Sequence, residues 1–110
     1  MTESLQIQLK KGVLEMCVLA LLEKREFYGF ELVETISGYI AISEGTIYPL
    51  LRRLTEEKYV ETYLQESLSG PPRKYYRMTA HGRAFTRALI ENWENFSRKV
   101  NKLVHLEVAS

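Results

Sequence analysis

Apolar positions recur three and four residues apart through Ser43 to Tyr59, SEGTIYPLLRRLTEEKY, and the other segments are arranged around this stretch. Ile47, Leu50, Leu51 and Leu54 share one side of a helix at that spacing. At about 100° per residue, the other side carries Gly45, Pro49, Arg52 and Glu56, flanked by Thr46, Tyr48 and Arg53. Ser43 stands at the N-cap, where its hydroxyl can accept a bond from a free first-turn N–H. The polar side suits a polyanionic groove. Gly45 allows close backbone approach, Tyr48 can stack or bond a phosphate, and Arg52 can reach phosphate or guanine. Pro49 breaks the local rule, because a proline inside a helix removes one backbone hydrogen bond and bends the axis. The plain reading is a tolerated kink on an exposed face, but such exceptions also mark functional sites.

The same periodicity predicts a first helix from about Leu9 to Glu23, with Val13, Leu14, Cys17, Val18, Leu21 and Leu22 as a wide apolar face. Leu5, Ile7 and Leu9 alternate, which leaves a strand or a helical extension open. After a turn at Lys24–Glu26, a second helix begins at Phe27, Tyr28 and Gly29. Phe30, Leu32, Val33 and Ile36 point inward, and Gly38 suits the position just past its end. A short link, Tyr39 to Ile42, leads to Ser43, so the pair reads as a helix-turn-helix.

The period then changes to two. Val60, Thr62 and Leu64 alternate with Glu61, Tyr63 and Gln65; Lys74, Tyr76 and Met78 alternate with Tyr75 and Arg77. Between these strands, Glu66 to Pro72 holds a glycine and two prolines, which predicts a stiff hairpin tip outside the ladder, with Arg73 and Lys74 just behind it. Thr79 caps a last helix, Ala80 to about Glu107. On it Leu89, Trp93, Phe96, Val100 and Leu103 recur at gaps of 4, 3, 4 and 3, a heptad seam. A stripe of this length needs a partner, and the economical one is a second copy of the chain, which also supplies the two recognition helices that a palindromic DNA site requires. The expected fold is mainly α: a winged helix-turn-helix with a three-helix core and β-hairpin wing over residues 1–79, then a dimerisation helix over residues 80–110.

Composition agrees with one small domain and an appended helix. The chain has 110 residues, 45% of them hydrophobic, with no apolar run long enough to cross a membrane. Its start, MTESLQIQLKK, is not a secretory signal, and the single cysteine, Cys17, excludes an internal disulfide framework and reads as a buried small hydrophobe. These features point to the cytoplasm. A net charge of +1 is small for a nucleic-acid binder, but its distribution is uneven. Ser67 to Ile90 holds Arg73, Lys74, Arg77, Arg83 and Arg87 and no acid, which predicts a basic patch.

No catalytic constellation emerges. His81 and His105 lie at opposite ends of one helix without a cysteine or histidine at ligand spacing, so neither a metal nor a cofactor is expected. Gly12 and Gly29 form no phosphate loop, and the chain reads as a binder, not an enzyme.

YGFEL at Tyr28–Leu32, SEGTIYPLLRRLTEEKYV at Ser43–Val60 and GPPRKYYRMTAHG at Gly70–Gly82 together resemble the PadR family of bacterial transcriptional regulators, in its branch with a single C-terminal helix. The resemblance spans nearly the whole chain. It implies a winged-helix homodimer, usually a repressor, that leaves its operator in response to a small molecule or stress. By position, Thr46, Tyr48, Pro49 and Arg52 match the family's recognition helix, and Arg73 and Lys74 match its wing. Trp93 sits where some members that bind flat aromatic drugs carry a tryptophan. This implies a planar effector held by Trp93 and Phe96 of both copies; the other reading is that Trp93 packs the dimer seam. Two functional classes follow: a DNA-binding repressor, or a winged helix that binds protein and not DNA. The cations at Arg73 and Lys74 favour the first, since a protein-binding wing has no need of them.

Overall fold

The computed structural model describes residues 12–109. The expected helix start at Leu9 and the alternation at Leu5, Ile7 and Leu9 lie outside them. The elements follow as α1 (Val13–Lys24), β1 (Phe27–Tyr28), α2 (Gly29–Ser37), α3 (Glu44–Glu56), β2 (Val60–Ser67), β3 (Gly70–Met78) and α4 (Ala80–Val104). This is a winged helix with a long C-terminal helix.

The core gathers residues from α1, α2, α3 and the sheet. Val18, Leu19, Leu32, Ile47, Leu51 and Leu54 have no exposed surface. The stripe expected in the central helix is therefore its buried side, with Leu50 half-buried beside it. α1 is apolar over more of its surface than one stripe. Leu14, Met16, Val18, Leu19 and Leu22 are buried because the helix is covered by α2, by β3 and by the start of α4. Cys17 is half-buried there, and burial pushes its thiol upward, away from the reactive thiolate.

Two expectations for the second helix need correction. Phe27 and Tyr28 are not helical; they pair antiparallel with Tyr76 and Tyr75 and make β3 the middle strand of three. The helix starts only at Gly29, which turns Phe30 outward to 46% exposure while Leu32, Val33 and Ile36 go inside. A partner far along the chain overrode the local periodicity. Gly38 ends the helix at φ −66°, so the turn does not use the left-handed freedom of glycine. Such a residue does occur at the end of α3, where Lys58 takes φ 64°. The Lys58 and Tyr59 N–H groups return to the carbonyls of Thr55 and Leu54 at 3.0 Å each, closing a Schellman motif.

The hairpin alternates as expected. Val60, Tyr76 and Met78 turn toward the core, while Glu61 pairs with Arg77 and Tyr63 stacks on Tyr75 outside. The tip is tighter than expected: Ser67 faces Gly70, and both Pro71 and Pro72 belong to β3. A register irregularity between Gln65 and Ser67 accommodates them. β1 reaches only to Tyr75, so the other edge of β3 is open at the prolines and needs no N–H from them.

α4 is bonded directly to the end of α3. The Thr79 N–H donates to the Tyr59 carbonyl at 3.2 Å, and its hydroxyl donates toward the Lys58 and Tyr59 carbonyls at 2.8 and 3.0 Å. The same Thr79 oxygen accepts the Gly82 N–H at 2.9 Å, the cap expected from the sequence. Gly82 lies so close to β2 that a methyl group there would sit 1.9 Å from the Tyr59 carbonyl oxygen. Phe85 stacks on Tyr59 with ring centres 4.3 Å apart, and Thr86 is fully buried. No helix of the described residues is long and apolar enough to cross a membrane.

Candidate nucleic-acid interface

The outer face of α3 is exposed along its length: Ser43, Gly45, Thr46, Tyr48, Pro49 and Arg52 all reach solvent. Ser43 occupies the cap position, yet its hydroxyl meets the Thr46 hydroxyl at 3.3 Å and caps no backbone N–H. The first-turn N–H groups at Thr46 and Ile47 are instead met by the Ser43 carbonyl, at 3.1 and 3.3 Å. Both hydroxyls are therefore on the exposed face at the start of the helix. Pro49 lies inside the helix, and the carbonyl at Gly45 loses the partner it would have there. Both residues are exposed, so water can satisfy that carbonyl.

Tyr48 and Arg52 turn toward the wing. With Arg73 and Lys74 of β3 they line an open cleft of about 430 Å³, together with Tyr28, Gly29, Phe30, Thr55, Glu56 and Tyr76. Burial raises the Tyr48 phenol above its ordinary value, and the Glu44 carboxylate adds to this, so the hydroxyl keeps its proton and can donate to an anion. Tyr76, buried below, is also raised by burial, with Tyr48 adding and Arg52 opposing. Among the described residues, Arg52, Arg73 and Lys74 take part in no ion pair.

Other cations do find carboxylates. Arg77 meets Glu61 at 2.9 Å, and Arg87 meets Glu23 at 3.7 Å. The acid-free segment is therefore not a uniform patch in space. Arg53 also stands apart from the cleft. It turns to α1, with Nη1 3.3 Å from Glu15 and 3.5 Å from Glu57, and braces two helices. The helical projection put Arg53 at the edge of the outer face, and the packed α1 settles which way it turns.

Six cleft residues are not among the site candidates read from the sequence: Tyr28, Gly29, Phe30, Thr55, Glu56 and Tyr76. For Tyr28, Gly29 and Phe30 the signal is the YGFEL stretch, whose place beside the wing depends on the pairing of β1 with β3. The seam residues lie elsewhere. Leu89 packs on the core, whereas Trp93, Phe96, Val100 and Leu103 are 42%, 63%, 37% and 72% exposed. His81 stacks on Tyr59 at 4.8 Å, and His105 Nδ1 lies 2.9 Å from the Asn101 carbonyl. Among the described residues no three carboxylate, histidine or cysteine groups gather as metal ligands would.

A helix-turn-helix with a cation-bearing hairpin beside its second helix is the architecture of winged-helix DNA-binding proteins. The model of the transcriptional regulator PadR-like family matches residues 18–88. A PadR-like transcriptional regulator from Bacillus cereus is similar over 91% of this chain and 99% of its own, at 41% identity and a TM-score of 0.82. A PadR family regulator from Eggerthella lenta covers 96% and 94% at 33% identity, with a TM-score of 0.84. An uncharacterised protein of Lysinibacillus sphaericus is 32% identical over 87 residues, 76% of this chain and 80% of its own. The chain belongs to the PadR-like family of transcriptional regulators and is a DNA-binding regulator of that family.

Proposed function

We propose that the protein is a repressor that acts as a homodimer on a palindromic operator in the cytoplasm and is released by a small-molecule or stress signal. The observation that carries this reading is the cleft, where Tyr48 and Arg52 of α3 meet Arg73 and Lys74 of the wing and, among the described residues, these cations form no ion pair. In the proposed complex, Ser43, Gly45, Thr46, Tyr48, Pro49 and Arg52 face the major groove. Arg73 and Lys74 neutralise phosphates, and Arg53 holds the helix on α1 from the side. Residues 1–79 read DNA; residues 80–110 join two copies through Leu89, Trp93, Phe96, Val100 and Leu103. The first turns of α4, fastened to Tyr59, tie the two parts together.

A planar aromatic effector held between the Trp93 and Phe96 side chains of both copies would act only by preferring a dimer geometry that mis-spaces the two α3 helices, since equal affinity for both geometries shifts nothing. Trp93 is the sole tryptophan, so its fluorescence reports on this place alone. An effector of this kind quenches it and lowers DNA affinity together; quenching without loss of DNA affinity would assign Trp93 to packing. The primary test is a mobility shift with DNA from upstream of the protein's own gene. A retarded band that random DNA does not compete away is expected, and no retention at low salt would favour a protein-binding winged helix.

A further inference from the structure

Tyr28 and Gly29 join β1 to α2 and lie outside both elements proposed to meet DNA, yet each touches a residue of one of them. The Arg73 guanidinium carbon sits 4.7 Å from the centre of the Tyr28 ring. Tyr28 is itself held firmly. Its N–H donates to the Glu31 carboxylate at 3.1 Å, and its ring meets Tyr75 edge-on at 5.5 Å. Tyr75 stacks on Tyr63, and the Tyr63 hydroxyl donates to Glu26. A long arginine on an open hairpin thus rests on a ring anchored through three strands. On the other side of the junction, Gly29 presents bare backbone to Tyr48. A methyl at position 29 would lie 2.6 Å from Tyr48 Cε1 and 3.1 Å from its hydroxyl oxygen. That conflict is with the free end of an exposed ring and not with backbone, so an alanine moves Tyr48 and leaves α2 folded.

We propose that Tyr28 and Gly29 are positioning residues for DNA binding: Tyr28 holds Arg73 of the wing, Gly29 seats Tyr48 of α3, and their adjacency sets the spacing of the two contacts before DNA arrives. This rests on the reading of the cleft as the DNA interface. Preordering a flexible arginine removes part of the entropy that its phosphate contact would otherwise cost. At an exposed site the contact with a ring is worth roughly two- to fivefold in affinity.

The test measures binding by the full chain, over a range of salt, to the retarded upstream fragment and to random duplex DNA of equal length. Tyr28→Leu weakens binding to both by roughly two- to fivefold per bound copy, and Tyr28→Phe restores it. In the Arg73→Ala background, Tyr28→Leu adds no further loss. Gly29→Ala weakens binding roughly fivefold, as the loss of one hydrogen bond would, and adds nothing once Tyr48 is alanine. In the free protein, the Arg73 side-chain N–H signal is shifted upfield by the ring, loses that shift with Tyr28→Leu and keeps it with Tyr28→Phe. Additive losses in the double variants, or an Arg73 signal indifferent to Tyr28, would overturn the proposal. If Arg73→Ala and Tyr48→Ala weaken binding while Tyr28→Leu and Gly29→Ala do not, positioning alone falls. If the first two leave binding intact on every DNA, the cleft is not the interface and both readings fall.

Discussion

In the cleft between α3 and the wing, one ring carries a cation, with Arg73 over Tyr28, and a second ring, Tyr48, lies against Gly29. Along the distal half of α4, rings and aliphatic groups stand in water: Phe96 and Leu103 are 63% and 72% exposed. Both surfaces are unsatisfied within one chain, but in different ways. In the first, Arg52, Arg73 and Lys74 form no ion pair among the described residues, which suits an anionic partner whose association weakens with salt. In the second, the exposed stripe lacks apolar cover; if the proposed second copy supplies it, salt should matter little to that association. Between the two, α4 is fastened to the end of α3 through Thr79 and Gly82, which hydrogen-bond to or pack against Tyr59.

That joint is the first place to break the comparison. Gly82→Ala drives a methyl into the Tyr59 carbonyl, where backbone cannot yield, and should cost about 4 kcal/mol of stability, read by thermal or denaturant unfolding. A variant as stable as the parent would show that α4 is not locked to α3. The seam comes next. Phe96→Glu should weaken association by about 3 kcal/mol or more, because burying the new carboxylate in the seam leaves it unpaired. Sedimentation should then give monomer, and a dimer of unchanged strength would place the interface elsewhere.

Changes in the cleft act on DNA and spare the fold. Arg52→Ala should lower affinity for the specific site by about 1–3 kcal/mol if the guanidinium contacts a base, while unfolding is unchanged. Equal losses on random DNA would make Arg52 a phosphate contact. Arg53 supplies the contrast one residue along the helix. Its ion pairs with Glu15 and Glu57 are exposed, so Arg53→Ala should cost about 0.5 kcal/mol of stability or less and affect DNA affinity little.

How these residues divide shows what was legible in the chain alone. The stripe of Ile47, Leu51 and Leu54, the alternation of the hairpin and the Thr79 cap are local patterns, and the fold realises them. The larger misreadings involve distant partners, whereas those at Ser43, whose hydroxyl caps no backbone N–H, and at Gly38, which is not left-handed, are local. Phe27 and Tyr28 joined a strand because β3 lies beside them, which turned Phe30 outward. The prolines entered the ladder because β1 stops short of them. In the site, the outer face of α3 and the wing pair were readable from spacing and charge. The roles argued for Tyr28 and Gly29 were not, because the chain does not announce which ring an arginine will rest on or which glycine will face a tyrosine 19 positions later.

The claim that the wing and α3 grip DNA by charge can be tested by the salt dependence of binding. Affinity for the upstream fragment and for random duplex DNA is measured across salt concentrations for the parent chain and for a variant with both Arg73→Ala and Lys74→Ala. Each lost phosphate contact reduces the slope of log affinity against log salt by about 0.9, and the double change removes two contacts in each copy of a bound dimer, so it should flatten the slope by roughly 3.6 on both DNAs. The dimer should persist at every salt concentration. Identical slopes and affinities for parent and variant would contradict the account.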